Sequence, residues 1–483
     1  MRRCYTLNLT YNVSDKPPVF RTILYAFQQL LAILAATIAV PTIVGNGMSQ
    51  SAALFGAGAG TLTYLLFTKF KSPVFLGSSF AFLGSMAAAF AGASTASLGY
   101  LGIILGAAFA GLVYFVIAVI VKVAGVGWIN KIMPPVVIGP TVAIIGLSLS
   151  SNAVSDMMKG SVTAMQSVWT VKEVGGVMQA VETTQSVSVA SPYIAMLCGL
   201  VTLVVVIICT VYGNKTLKLI PFIIGILAGY ALASIFTVIG NVCNVDALKI
   251  IDFGKFANME WVPSFAFLKA FSGDYGDQNI GAYIGTIAVA YVPVAFVVFA
   301  EHIADHKNLS SIIGADLTEN PGLTRTLLGD GVGSMVGAFF GGCPNTTYGE
   351  SVACVAITGN ASVVTIFVTA LLCIACSFIG PFVTFLATIP SCVMGGVCMA
   401  LYGFIAVSGL KMLQGIDLSE NRNLFVASSI LIAGVGGMIV QIGEIQITSV
   451  ACALILGILI NLLCGKSDKN KKVETEQADG AKE

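Results

Sequence analysis

Long apolar runs separated by short polar segments are the dominant pattern along this chain. A helix needs roughly 20 apolar residues to cross about 30 Å of hydrocarbon. Two apolar segments, near 74–92 and 344–360, are shorter and interrupted, while the others are long enough to cross. The long runs lie near 22–45, 50–68, 98–121, 132–152, 190–212, 219–240, 281–303, 325–342, 361–387, 392–412, 424–441 and 446–465. The pattern predicts an all-α polytopic membrane protein with 14 transmembrane segments, two of them broken.

Composition agrees with this class. The 483 residues are 57% hydrophobic and 10% charged, whereas soluble proteins carry about a quarter charged residues. A net charge of +1 and the absence of a basic patch give no indication of nucleic-acid binding. Residues 1–20 are polar, so no cleavable signal peptide is expected and the first span directs insertion. The 12 cysteines are scattered singly and there are two histidines, so no metal or cofactor is predicted.

Basic residues are distributed unequally between the two sides that the spans define. With the N-terminus inside, 19 of the 24 basic residues fall in inner segments. The other five lie in two long outer loops, 153–189 and 241–280. They are Lys159, Lys172, Lys249, Lys255 and Lys269. Because cytoplasmic segments retain lysine and arginine, both termini are predicted to be cytoplasmic, in a cell inner membrane. The tail after Lys466 is charged and is predicted to be disordered.

The two halves of the chain show a faint repeat. The string 133–139 (MPPVVIG) resembles 389–395 (IPSCVMG), with the same spacing from proline to glycine. The interrupted segments also correspond, 77–82 (GSSFAF) in one half and 345–350 (NTTYGE) in the other. Because each half contains seven segments, an odd number, the halves would run in opposite directions. Inverted repeats with broken helices at matching places are typical of transporters with a midplane site.

Two acidic residues lie within sequence that otherwise reads as membrane-embedded. Glu301 ends the apolar run 291–300, and Glu350 closes the string 344–350 (PNTTYGE). A carboxylate at bilayer depth costs roughly 2.5–3.5 kcal/mol and marks a candidate functional site. The string before Glu350 favours extended or turn backbone, which is tolerated at this depth where protein or a cavity supplies hydrogen-bond partners. If both interrupted segments, 77–82 and 345–350, contain an extended strand, the two strands could pair with each other. Broken helices around buried acids predict a transporter site.

These residues are also those by which the chain resembles the nucleobase–ascorbate (uracil/xanthine permease) transporter family, and within it the bacterial uracil–proton symporters. The resemblance extends over nearly the whole chain. The string 344–350 is specific, and the other strings are weaker individually but keep the family's order and spacing. They are 16–18 (KPP), 76–82 (LGSSFAF), 300–302 (AEH), 320–323 (NPGL) and 393–396 (VMGG).

The resemblance implies a seven-plus-seven inverted repeat whose two broken helices carry short antiparallel strands. A core domain would contain segments 1–4 (22–124) and 8–11 (281–388), and a gate domain segments 5–7 (125–240) and 12–14 (389–466). Residues 1–21 would form a cytoplasmic N-terminal segment, 241–280 an extracellular loop and 467–483 the disordered tail. Family members commonly dimerise through the gate domain, so a homodimer in membrane lipid is expected.

The resemblance also implies a substrate site. The base would stack near Phe80 and Tyr348, against Ala36 and beside Tyr402 of the gate domain. Backbone amides of Phe80 and Gly349 would reach its carbonyl oxygens, and Glu301 and Glu350 would accept its ring N–H groups and couple the proton. Candidate residues around this site are Gln29, Asp305 and Asp330. From the residues themselves, Asp330 is expected to order the nearby half-helices or to face a polar interior. His302 and His306 are expected to be interfacial, and 305–307 (DHK) to be a solvated cytoplasmic end.

Three departures from the family pattern concern the proton relay and base selectivity. Residues 28–29 are Gln-Gln where Gln-His is frequent, and Asp305 replaces a histidine typical of close relatives. Ser351 begins the string Ser-Val-Ala where Asn-x-Gly is usual. The substrate class is unaffected by these changes.

The residues themselves suit uracil, which has two ring N–H donors and two carbonyl acceptors. Two carboxylates can accept from the donors, and free N–H groups at a half-helix N-terminus can serve the acceptors. Because burial and a second carboxylate both disfavour the charged form, one acid is expected to carry a proton near neutral pH. Together with the resemblance, which favours uracil through the string 345–350, this chemistry predicts a proton-coupled uracil symporter and not an enzyme. The alternatives are a purine (xanthine or urate) permease of the same fold and, more distantly, an anion transporter of similar architecture.

Overall fold

The computed structural model describes residues 9–125, 127–174, 177–214, 217–218, 220–442 and 445–479. The described chain is predominantly helical. Its helices are α1 Val19–Val44, α2 Gln50–Phe67, α3 Leu83–Ala91, α4 Ala96–Ala124, α5 Gly127–Ile132, α6 Pro135–Ser148, α7 Ser150–Met157, α8 Pro192–Tyr212, α9 Pro221–Cys243, α10 Ala266–Ala270, α11 Ile280–Ile313, α12 Leu323–Gly341, α13 Gly349–Thr358, α14 Val363–Cys376, α15 Gly380–Thr388, α16 Ser391–Lys411, α17 Asn421–Val435 and α18 Ser449–Asp479. Its strands are β1 Leu76–Ser78, β2 Thr163–Val174, β3 Val177–Ser188, β4 Asn345–Thr347, β5 Val440–Ile442 and β6 Ile445–Ile447.

Local sequence signals account for many helix starts. Ser49 and Asn279 accept hydrogen bonds from first-turn backbone N–H groups of α2 and α11, at 3.2 Å in both cases. Helices α6, α8 and α9 begin with a proline in their first turn, where its missing N–H costs nothing. Among the described residues, seven helical stretches are long and apolar enough to cross a membrane when α6 and α7 are counted as one stretch, Pro135–Met157, or eight if α14 and α15 form one span.

The predicted elements differ from the observed ones in several places. The run 361–387 is two helices, α14 and α15, and the run 132–152 is divided between α6 and α7. The class is not purely all-α, because β2 pairs antiparallel with β3 in the loop that was predicted to be extracellular, and β5 pairs antiparallel with β6. Helix α18 continues through much of the tail predicted to be disordered, as far as Asp479.

The chain divides into two compact units. One unit contains Met1–Leu149, Trp261–Ile379 and Leu401–Glu483. The other contains Ser150–Glu260 and Gly380–Ala400, and within it α8 packs on α9 at glycines 225 and 229, close to Thr202. The division into core and gate domains inferred from the resemblance remains a prediction.

Glycines allow α2 and α12 to approach closely in the first unit. A Cβ added to Gly56 would lie 2.7 Å from Gly337 O, and one added to Gly60 would lie 2.7 Å from Gly333 O. Asn345, the first residue of β4, uses this crossing and donates its Nδ2 hydrogen to Gly56 O at 3.0 Å. Small residues spaced four apart permit such backbone contact between helices in a membrane. The crossing thereby fixes β4 at a set depth in the unit.

Candidate functional site

The two broken segments meet at a short pair of strands. As predicted, β1 and β4 are antiparallel, and Gly77 lies opposite Thr346. Tyr348, directly after β4, donates its backbone N–H to Phe75 O at 3.1 Å, so the pairing continues beyond the strands. Thr61 of α2 accepts a bond of 2.9 Å from Leu76 N. The backbone of both strands is thus hydrogen-bonded within the protein, as irregular chain in a membrane requires.

A cavity of about 260 Å³ opens beside this strand pair. It lies within the first unit and receives side chains from α6, α11, α13 and α16 as well as from β4. The lining residues are Phe80, Val142, Glu301, Ala304, Asp305, Asn308, Thr346, Thr347, Tyr348, Gly349, Glu350, Ala353, Phe404, Ile405, Ser408 and Met412. Five of the seven predicted substrate-contacting residues therefore lie on one cavity, and these are Phe80, Glu301, Tyr348, Gly349 and Glu350.

Three carboxylates line the cavity. Glu301 and Asp305 lie one turn apart on α11, and Glu350 is in the first turn of α13. All three are half-buried. Asp305 accepts a bond of 2.7 Å from the Thr347 hydroxyl, whereas no described side chain donates a hydrogen bond to Glu301 or Glu350. The two glutamates therefore have acceptor capacity available for a ligand, while Asp305 is tied to β4.

The start of α13 adds hydrogen-bond donors to the same cavity. The first N–H groups of a helix have no acceptor within the helix, and its N-terminus carries a partial positive charge. Helix α13 begins at Gly349, which is exposed to the cavity. Its φ angle lies outside the left-handed region that glycine favours, so the turn itself does not require glycine. An added Cβ would meet Asp305 Oδ1 at 3.7 Å, so the absent side chain leaves room for a ligand.

Two of the three aromatic residues that line the cavity, Phe80 and Tyr348, were predicted to contact the base. Phe80 is 8% exposed, and its ring lies edge-on to Tyr402 with 5.7 Å between centroids. Tyr348 is 3% exposed, and its hydroxyl donates to Ser78 O at 2.9 Å. The Tyr348 ring covers Gly77, where a Cβ would lie 2.3 Å from ring carbons. The Phe80 ring therefore has more surface available for stacking than the Tyr348 ring, which also packs against β1 at Gly77.

The remaining predicted residues do not line the cavity. Ala36 is buried in α1, and Tyr402 contributes through its contact with Phe80. Gln29 donates to the Ser351 hydroxyl, which in turn accepts from Phe75 N at 3.3 Å. These bonds join α1, α13 and the segment before β1. Gln29 therefore supports the strand pair without lining the cavity.

The prediction that residues 305–307 form a solvated end was wrong for the first two positions. Asp305 lines the cavity, and His306 is 0% exposed, as is His302. Asp330, which was expected to order the nearby half-helices or to face a polar interior, is buried and has its Oδ2 atom 2.7 Å from His302 Nδ1. The signal available in the sequence was the i, i+4 repeat of an acid followed by histidine, which places both acids on one helix face and both histidines on another.

Gly77→Ala should destabilise the strand pair. The new methyl would overlap the Tyr348 ring, and overpacking of this kind costs about 1–3 kcal/mol. We expect a lower thermal unfolding midpoint for the purified protein. Gly84→Ala is the matched control, because its Cβ meets its nearest atom at 3.7 Å. Equal midpoints for the two variants would show that the Tyr348 ring can move aside without loss of stability.

Comparison with known sequences identifies the family. The sequence model of the Permease family (Xan_ur_permease) matches residues 20–443. The chain belongs to this family. It is 37% identical over 469 residues to the uracil permease of Bacillus subtilis (strain 168), covering 96% of this chain and 97% of that protein. It is 32% identical over 453 residues to the uracil permease of Escherichia coli (strain K12), covering 93% of each. These relatives are transporters, and the chain is a multi-pass membrane protein.

Solved structures of transporters share the fold of this permease. The transmembrane domain of the cyanobacterial bicarbonate transporter BicA aligns with a TM-score of 0.57 at 14% identity, over 94% of this chain and 99% of that domain. The murine anion transporter Slc26a9 in its inward-facing state aligns with a TM-score of 0.59 at 12% identity, over 94% of this chain and 69% of that protein. At these identities the likeness shows the fold alone.

Proposed function

We propose that this permease imports uracil together with a proton. The observation that carries the proposal is the cavity in which Glu301 and Glu350 converge beside the N-terminus of α13 and Phe80. Its relatives named uracil permease, at 32–38% identity over nearly their full length, support the same substrate class.

The cavity complements uracil group by group. Glu301 and Glu350 would accept hydrogen bonds from the two ring N–H groups. The backbone N–H groups of Gly349, at the start of α13, and of Phe80, three residues before α3, would donate to the two carbonyl oxygens. The Phe80 ring would stack on the base, which is worth about 1–3 kcal/mol per base in other proteins. Each polar group of a small planar ligand would then have a partner.

Proton coupling follows from the carboxylates. Three acids around one cavity cannot all carry charge at low cost, so at least one would be protonated when uracil binds. In this proposal the chain has 14 segments in a seven-plus-seven inverted repeat, with both termini cytoplasmic. Movement of a core domain against a gate domain would expose the cavity to each side in turn and carry base and proton together.

Uptake into proteoliposomes tests the coupling. With an inside-alkaline pH gradient, the protein should accumulate labelled uracil, and a protonophore should abolish accumulation. Replacement of sodium by choline should have no effect, because the proposal assigns coupling to the cavity carboxylates. A requirement for sodium with no response to the protonophore would contradict proton symport while leaving uracil as the substrate.

The likeness to anion transporters does not favour anion transport here. Bicarbonate and sulfate are negatively charged, and the three cavity carboxylates would repel them.

A further inference from the structure

Two fully buried side chains next to Glu301 share a short hydrogen bond. His302 Nδ1 lies 2.7 Å from Asp330 Oδ2, which joins α11 to α12. His302 is 0% exposed and Asp330 is 1% exposed, and neither residue lines the cavity. The partners of the pair determine how many protons it holds.

Thr326 fixes the first of these protons. Its hydroxyl donates to Leu323 O at 3.0 Å, and a carbonyl oxygen can only accept. Thr326 Oγ1 is then an acceptor for His302 Nε2, 3.0 Å away, so Nε2 carries a proton. The bond between Nδ1 and Asp330 Oδ2 needs one further proton, because a bare ring nitrogen and a carboxylate oxygen repel each other.

With this one shared proton the pair is neutral overall. It is either imidazolium with carboxylate or imidazole with carboxylic acid. Loss of the proton would leave an uncompensated buried negative charge, and gain of a second proton would leave a positive one. Either change costs several kcal/mol in a medium of low dielectric.

The described titratable groups that surround the pair do not include a carboxylate that could take over its shared proton. Tyr114 of α4 has its ring 6.2 Å from the His302 ring and faces Asp330. His306 stacks on His302 at 4.0 Å and donates its Nδ1 hydrogen to His302 O at 2.8 Å. Tyr64 of α2 lies 2.8 Å from His306 Nε2. The two acids of α11, Glu301 and Asp305, line the cavity.

We propose, on the basis of the function proposed above, that His302 and Asp330 keep one shared proton throughout the transport cycle. They are positioning residues that hold α11 against α12 and thereby place Glu301 and Asp305 at the cavity. The proton that accompanies uracil is carried by the cavity carboxylates and not by this pair.

The small number of histidines makes a direct test possible. The chain contains two, His302 and His306, so ¹⁵N-histidine labelling of the full protein in lipid gives two ring systems, which His306→Gln assigns. An ordinary histidine changes charge between about pH 5 and 8. We expect the His302 signals to stay constant over that range, with or without uracil. A His302 signal that titrates there would overturn the proposal, and this result does not depend on uracil being the substrate.

Substitution of Asp330 separates positioning from coupling. Asp330→Asn retains an N–H donor for His302 Nδ1, whereas Asp330→Leu has a similar size and no donor. We expect Asp330→Asn to keep the pH profile and a KM for uracil within about threefold of the wild type, and Asp330→Leu to lose more than about tenfold in transport rate. An Asp330→Asn protein that binds uracil normally but no longer accumulates it under a proton gradient would show that the pair carries the coupled proton. Equal transport by both variants would also overturn the proposal, and if Asp330→Leu does not fold, the histidine spectra decide.

Discussion

Glu301→Gln should weaken uracil binding strongly. The glutamine oxygen can still accept a hydrogen bond, but it lacks the charge that strengthens the bond to a ring N–H. Hydrogen bonds to charged groups contribute about 1.5–3 kcal/mol, so affinity should fall by about 10- to 150-fold. The side chain also loses its ability to take up a proton, so accumulation under a pH gradient should cease. Equilibrium binding of labelled uracil to the purified variant measures the first effect and proteoliposome uptake the second.

Glu319→Gln is the matched control for this change. Glu319 is exposed and does not line the cavity, so its substitution should leave binding and uptake unchanged. Wild-type uptake by Glu301→Gln at matched expression would show that Glu301 is not a ligand of the base.

Gly349→Val should block the cavity without unfolding the protein. The position has ordinary backbone geometry and an added Cβ has its nearest neighbour at 3.7 Å, so the fold can accept a side chain. The branched side chain would, however, project toward Asp305 and occupy the space in which a uracil carbonyl would approach the start of α13. We expect normal insertion and purification, a near-normal unfolding midpoint and a loss of affinity well beyond tenfold, or about 1.4 kcal/mol.

Two further variants calibrate this result. Gly349→Ala adds a single methyl and should lose less affinity than valine does. Gly285→Val changes a helical glycine of α11 whose added Cβ meets nothing within 4 Å, and it should bind uracil normally. If Gly349→Val folds and retains wild-type affinity, the base does not bind against the start of α13.

Sequence patterns predicted much of the fold, because membrane spans are set by apolar length. The broken segments were recognisable because Pro344 and Gly349 interrupt apolar sequence, and the structure shows the predicted strand pair between them. Apolar length alone does not reveal the hairpin β2–β3. The signals in the sequence were the alternation of apolar and polar residues at 169–172 (WTVK) and 186–189 (SVSV) and the Gly-Gly pair at 175–176. The division of the run 361–387 into α14 and α15 was missed because apolar length alone gives no signal of a break. The signal in the sequence was the Gly-Pro pair at 380–381, where α15 begins.

The candidate site was predicted in part. Glu301 and Glu350 were conspicuous as acids at bilayer depth, and both line the cavity. The place of Asp305 was obscured by the lysine that follows two residues later, which made the segment resemble a solvated helix end. The role of Tyr348 as a brace could not be foreseen, because it depends on the absence of a side chain at Gly77 on a strand 271 positions earlier in the chain.

Competitive binding to the purified wild-type protein tests the central claim most directly. Labelled uracil should bind saturably and be displaced by unlabelled uracil, because both carboxylates and both backbone donors fit one pyrimidine ring. Excess xanthine should displace it weakly, and sulfate or bicarbonate should not displace it at all. Saturable binding of xanthine in preference to uracil would assign the cavity to purines, and binding of sulfate or bicarbonate with no binding of uracil would contradict the account altogether.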